Sequence, residues 1–240
     1  EAILIGASGA EFRAIEEPKS ESVIRGSRTG FIENFKINVS LIRQEIQDPT
    51  LRIDQMVVGS HSNQKIAICY IEGIVQQEIL NEVVRRIKTV DINFAPDSGF
   101  IEQWIEDSNL SPFPQILDTE RPDRVALNIL KGKIAIIVEG SPFVLLMPIA
   151  FGDSLKSIED YNQRWLISSL LRLLRLVSFY MTLFLPGLYV ALVSYHPELI
   201  PSQLLFTITA SREGIPFPSL IEALIIAFFY EVLQEAGTRL

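Results

Sequence analysis

One cysteine, Cys69, stands in a chain of 240 residues, which excludes an internal disulfide and any cysteine-rich metal site. It sits in the apolar stretch KIAICYI, where a small buried hydrophobe is expected rather than a reactive thiol. Histidine is nearly as scarce: His61 and His196 lie in different parts of the chain, so neither a shared metal site nor a nucleophile relay is supported. Basic residues are outnumbered 21 to 29, giving a net charge of −8, and there is no basic surplus to neutralise a phosphate backbone. A general nucleic-acid binder is thereby excluded. No glycine-rich phosphate loop ends in Lys-Ser or Lys-Thr, since GASGAEF lacks both the lysine and the spacing. No carboxylate pair is marked out for acid–base work, so no catalytic, cofactor-binding or metal residues are expected and an enzyme is unsupported. The chain opens at Glu1 without the charged, apolar and small-residue segments of a signal peptide, and both ends are expected to be cuts in a longer protein.

Against these absences stands one long uncharged run, Leu176 to Tyr195, LVSFYMTLFLPGLYVALVSY. At ~1.5 Å per helical residue it is roughly 30 Å long, the thickness of a bilayer's hydrocarbon core. Arg164, Arg172 and Arg175 precede it, and nothing basic follows until Arg212. The positive-inside rule then keeps the N-terminal part in the cytoplasm and sends the chain outward. The alternative is a buried helix of a soluble core, broken at Pro186-Gly187. Core helices rarely stay uncharged for so long, so the membrane reading leads, with Pro186 kinking a spanning helix.

Periodicity divides the rest into an α/β (α+β) soluble module of mixed strands and amphipathic helices, followed by α-helical transmembrane segments. Residues 1–50 are expected to be the remainder of a truncated first subdomain with its connecting helix, and 51–150 a second subdomain large enough for one core. Residues 151–175 form a juxtamembrane linker, 176–195 the transmembrane helix, and 196–240 an outer loop with a second membrane-associated or transmembrane helix. EAILIGAS reads as a strand. Phe31, Phe35, Val39, Ile42 and Ile46 recur at helical steps, and Asp48-Pro49 ends that helix. KIAICYI reads as a strand buried on both faces. Val75, Ile79, Leu80, Val83, Val84 and Ile87 form the next helical stripe. Asp97 is placed to cap a helix carrying Ile101, Trp104 and Ile105, and Pro122 to open one carrying Val125, Ala126, Ile129 and Leu130. GKIAIIVEG turns at Gly140-Ser141-Pro142 into FVLLMPI, a closing hairpin. Asn38-Val39-Ser40 matches the glycosylation pattern but falls inside a helix expected in the cytoplasm, and carries no weight.

Two constellations stand out. In VIRGSRTGF, Arg25 and Arg28 flank Gly26, which suits a tight turn at a subdomain joint, with donors free for carboxylates or helix-end carbonyls; ordinary solvated arginines fit equally. In PFPSLIEALIIAFFYEVLQEAGTRL, Glu231 and Glu235 share a helix face while Glu222 lies about half a turn away. The plain reading is an interfacial helix whose acids stay wet. The sharper one, held open for Glu222, is an acid at membrane depth facing a polar cavity or ion path.

The wording of several segments adds a resemblance. IEEPKSESVIRGSRTGFIENFKINVSLIR, CYIEGIV, DSGFIEQWIEDSNLSPFPQILDTERPDRVALNILKGKIAIIVEGSPFVLLMP, EDYNQRW, REGIPFPSLIEAL and YEVLQEAGTRL resemble, in order and over essentially the whole chain, the A subunit of the GerA-type spore germination receptors. Ser27 departs from the commoner RGPR-x-GF form, where proline is usual. The resemblance implies a multi-pass protein of the spore inner membrane that acts with B and C subunits in nutrient sensing and ion release. It also implies a homo-oligomer with a central ion path. Two other classes stay in view: a transporter component with a regulatory cytoplasmic module, and a membrane-tethered enzyme, which would need a catalytic group that the sequence does not display.

Overall fold

The structure, a computed structural model, describes residues 14–18, 20, 21, 23, 25–59, 61–90, 97–108, 110, 111, 113–214 and 216–239, the side chain of 239 excepted. The strand expected at EAILIGAS lies outside them. By backbone contacts the chain divides into two units, residues 1–169 and 170–240.

The first unit is built on five antiparallel strands. In chain order come α1 (Phe35–Glu45), β1 (Leu51–Val58), β2 (Gln64–Ile71), α2 (Gln77–Lys88), α3 (Ser98–Ile105), β3 (Leu117–Thr119), α4 (Pro122–Ile129), β4 (Ile134–Val138), β5 (Val144–Met147), and the short helices α5 (Phe151–Ser154) and α6 (Glu159–Asn162). The sheet order is β1-β2-β4-β5-β3. Because side chains alternate along a strand, each central strand feeds two cores. Ala67, Cys69, Ala135, Ile137, Val144 and Leu146 pack under α1 and α4. Ile66, Ile68, Ile134, Ile136, Leu145 and Met147 pack under α2 and α3. β4, IAIIV, is buried at every position, as a strand covered on both faces must be. β2 shows the same apolar run, and the buried Cys69 thiol, taken out of water, is pushed up to about 12.

Local chemistry sets the helix ends. The stripe expected from Phe31 becomes helical only at Phe35, because the Asn34 side chain accepts from the amides of Lys36 and Ile37 at 3.0 and 3.3 Å. Phe31 and Ile32 precede the helix yet are buried. The Asn38 amide is consumed there: Ile32 N donates to its Oδ1 at 2.9 Å, and its Nδ2 donates back to Ile32 O. Asp97 caps α3 through Ser98 N, and Pro122 opens α4, but the helix ends at Ile129, so Leu130, expected on its buried stripe, is the C-cap and half exposed. The β4–β5 hairpin pairs Ile134 with Met147 and Ile137 with Val144. β1 and β3, which the periodicity did not single out, are the two edge strands.

In the second unit one helix, α7 (Trp165–Tyr195), runs unbroken through Pro186; its first residues belong to the first unit. It starts eleven residues before the uncharged run and so takes in LLRLLRL. Among the described residues it is the one helix long and apolar enough to cross a membrane. A 3-10 turn at Pro197–Leu199, α8 (Ser202–Arg212) and α9 (Ser219–Arg239) follow. The outer loop expected from sequence therefore contains a helix.

Candidate functional site

The segment carrying Arg25 and Arg28 lies against the first turn of α4, and a third arginine holds it. Arg121, the residue before Pro122, has a fully buried side chain. A guanidinium cannot be left unpaired out of water. Its Nε and Nη2 form a fork on the Asp123 carboxylate at 3.1 and 2.6 Å. Nη1 and Nη2 also donate to the carbonyls of Glu21 and Ser27 at 3.2 and 3.0 Å. The Glu21 carboxylate is taken in turn by Arg124 and by the Thr119 hydroxyl. Two backbone bonds, Gly30 N to Glu16 O at 2.9 Å and Phe31 N to Glu120 O at 2.8 Å, complete the seam.

Arg25 contributes its carbonyl rather than its side chain: Asn162 Nδ2 of α6 donates to it at 3.2 Å. Two things hold position 26 to glycine: a backbone φ of +154°, which side chains rarely adopt, and Asn162, whose Nδ2 would lie 2.7 Å from an added Cβ. Arg28 lies 4.0 Å from Glu17 and is three-quarters exposed, a pair that solvent screens. Sequence reading singled out Arg25 and Arg28 but missed Arg121. The only signal was its position before a helix-opening proline, and that does not separate a buried arginine from a wet one.

The seam of polar contacts continues into the segment leading to α7. Lys133 and Lys156 donate to Asp153 at 2.7 and 2.9 Å. Burial pushes the Asp153 carboxyl up, but the two ammonium groups and the Ala150 amide outweigh it and hold the acid below its usual range. Lys131 reaches the Tyr161 hydroxyl at 2.8 Å and lies 4.7 Å from that ring's centre. In the first turn of α7, the buried Ser168 hydroxyl donates to Asp160 O at 2.6 Å. A continuous path of polar contacts thus links residues 20–30, α4, α6 and the start of α7.

In the second unit Glu222, in the first turn of α9, faces Arg212, at the end of α8, with Nε and Oε2 3.3 Å apart. Each side chain is about four-fifths buried, and the contact is an ion pair only, since neither of these two atoms has a hydrogen-bond partner. Glu231 and Glu235 are exposed. Pro186 lines an apolar cleft of about 440 Å³ between α7 and α9, with Gly187, Ala191, Ala223 and Ala227. Having no N–H, Pro186 leaves the carbonyl one turn back, at Thr182, without its helical donor. Among the described residues, no three His, Cys, Asp or Glu side chains converge as a metal set.

The sequence model of the family described as Bacillus/Clostridium GerA spore germination protein matches residues 1–240. The chain is 46% identical over 239 residues to spore germination protein GerLA of Bacillus cereus, covering 100% of this chain and 49% of that protein. It is 45% identical over 240 residues to spore germination protein KA of Bacillus subtilis, covering 100% and 44%. With an uncharacterized membrane protein of Bacillus subtilis, YfkQ, it shares 41% identity over 238 residues, covering 99% and 46%. The chain spans about half the length of the curated relatives it matches. The crystal structure of the N-terminal domain of the A subunit of the Bacillus megaterium spore germinant receptor GerK3 is 39% identical, covers 51% of this chain and 97% of that one, and superposes with a TM-score of 0.41.

Proposed function

The chain belongs to the GerA family of spore germination proteins, and from that premise we propose that it forms part of the A subunit of a nutrient-sensing germination receptor. The observation that carries the reading is the match along all 240 residues. In this reading the subunit acts with B and C subunits and with further copies of itself in the inner membrane of the spore. Its sheet module is cytoplasmic, and a preceding subdomain has its remainder within residues 1–50. The arginines before Leu176 support that orientation. The polar path from residues 20–30 through Asn162 and Ser168 to α7 supports a role in passing a change in the module to the membrane part.

The oligomeric ion path places Glu222 beside the permeating cation. A carboxylate at membrane depth needs water, a cation or a partner, and in this fold Arg212 is that partner. Passage then requires the pair to part, leaving a ring of acids that concentrates cations.

The test is germination of spores lacking the full-length gene and complemented with it, following nutrient-triggered cation release. Restored release supports the receptor reading, and unchanged response of the deletion strain to every nutrient removes it. Single-cysteine labelling in a Cys69-free background tests orientation, with Glu198 reached from outside and Ser157 protected.

A further inference from the structure

Between α2, the end of α3 and the end of β5 lies an open cavity of about 360 Å³, within the size range of small-molecule sites. Its floor is apolar, with Ile79, Val83, Ile116 and Met147. Its rim is acidic, with Glu78, Glu82, Glu106 and Asp107. The one basic residue in the lining, Arg86, is already engaged. Its Nε donates to Glu82 at 2.7 Å, its Nη2 to Asp107 at 2.5 Å and its Nη1 to the Ile105 carbonyl at 2.6 Å. That fork ties α2 to the end of α3 and fixes one wall.

Glu82 and Asp107 are neutralised by this fork, with Arg85 also on Glu82. Glu78 and Glu106 have no ion pair among the described residues. Glu78 lies in the first turn of α2, where the helix dipole tolerates an acid, but Glu106 is the C-cap of α3, where the dipole opposes one. On α3 beside it, burial chiefly, then Asp118, Glu106 and Asp97, push the Glu102 carboxyl up to about 7, so among the rim acids Glu106 alone is felt there.

We propose that this cavity binds a small organic cation, with a primary ammonium or guanidinium head between Glu78 and Glu106 and a short apolar body on Ile79, Val83, Ile116 and Met147. Charge selects the head, because Arg86 cannot supply a second counter-ion while it holds the wall. Shape selects the body, because the floor offers apolar contact and no further charged group. The site lies on the α2/α3 face of the sheet, whereas the Arg121 seam involves α4 on the α1/α4 face. It does not depend on the germination reading.

The test uses the full chain in phosphatidylcholine nanodiscs with methyl-labelled isoleucine and methionine, titrated with n-butylammonium. Saturable shifts are expected at the Ile79, Ile116 and Met147 methyls, with none from butyrate. The double variant Glu78→Gln/Glu106→Gln, with its methyl spectrum otherwise native, is expected to bind at least about tenfold more weakly. The proposal is overturned if the wild type shows no saturable shifts, if butyrate shifts the same methyls, or if the double variant binds as tightly as the wild type.

Discussion

Arg121 donates to the carbonyl of Ser27 at 3.0 Å across 94 residues of sequence, and that contact fixes the turn after Gly26 against α4. The same guanidinium grips Asp123, so truncating it strands a partly buried carboxylate and two carbonyls together. Arg121→Ala is expected to cost about 3 kcal/mol of stability, in line with the loss of one partner of a buried pair. Arg25→Ala and Arg28→Ala, whose side chains are exposed, should each stay within about 0.5 kcal/mol. Thermal unfolding of the purified variants and their abundance in spores measure both. Equal effects at all three positions would remove Arg121 from its central place.

Gly26 and Asn162 form a second test of the same seam. A methyl at 26 falls on Asn162 Nδ2 and must displace its bond to Arg25 O. Gly26→Ala and Asn162→Ala should each destabilise by about 1 kcal/mol, the worth of a typical hydrogen bond. The double variant should cost less than their sum by the share of the contact alone, since the φ of +154° strains any side chain at 26 whether or not Asn162 is there. Full additivity would mean that Gly26 is needed for its backbone alone.

The seam also shows where sequence stops being informative. α2 and α4 were legible because their buried residues recur at helical steps, and the β4–β5 hairpin because IAIIV and VLLM flank a Gly-Ser-Pro turn. β1 was not legible: as an edge strand it mixes Arg52, Asp54 and Gln55 with its apolar residues, and its exposed pairs Arg52–Glu72 and Asp54–Tyr70 resemble any solvated surface. The apolar stripe of α1 was readable, but not that it would share a core with Cys69 and Leu146. Pairings that span a hundred residues, such as Arg124 with Glu21, leave no local pattern at all. The same holds for Arg212 and Glu222, in which sequence marked the acid and not its partner.

Glu102 gives stability a pH dependence of definite sign. Its folded value is raised to about 7 from an ordinary value near 4.5, chiefly by burial and then by Asp118, Glu106 and Asp97. Between those values the folded chain keeps a proton that the unfolded chain has released, so stability falls as pH rises across that window and levels off above it. Glu102→Gln should remove this slope, melting above the wild type at pH 8 and close to it at pH 4.5. A variant whose melting follows the wild type at every pH would show that Glu102 is charged and adequately solvated. Asp153 acts in the opposite sense: its carboxyl is depressed by Lys133 and Lys156, so its contribution is present at neutral pH and lost only in strong acid.

The pairing of Arg212 with Glu222 changes what a charge-removing variant tests. Glu222→Gln alone leaves Arg212 buried without its counter-ion, so slower cation release in that variant could reflect a repelling arginine as readily as a missing acid. Arg212→Gln separates the two: it frees the Glu222 carboxylate, and receptors carrying it should release cations faster or without nutrient. In the double variant Arg212→Gln/Glu222→Gln both charges are gone and abundance should return towards normal, yet cation release should stay slow, because nothing is left to concentrate cations at that depth. The measurement is potassium efflux from spores after nutrient addition, normalised to receptor level by immunoblot. Normal efflux in the double variant at normal abundance would take Glu222 off the ion path and leave the pair as a brace between α8 and α9.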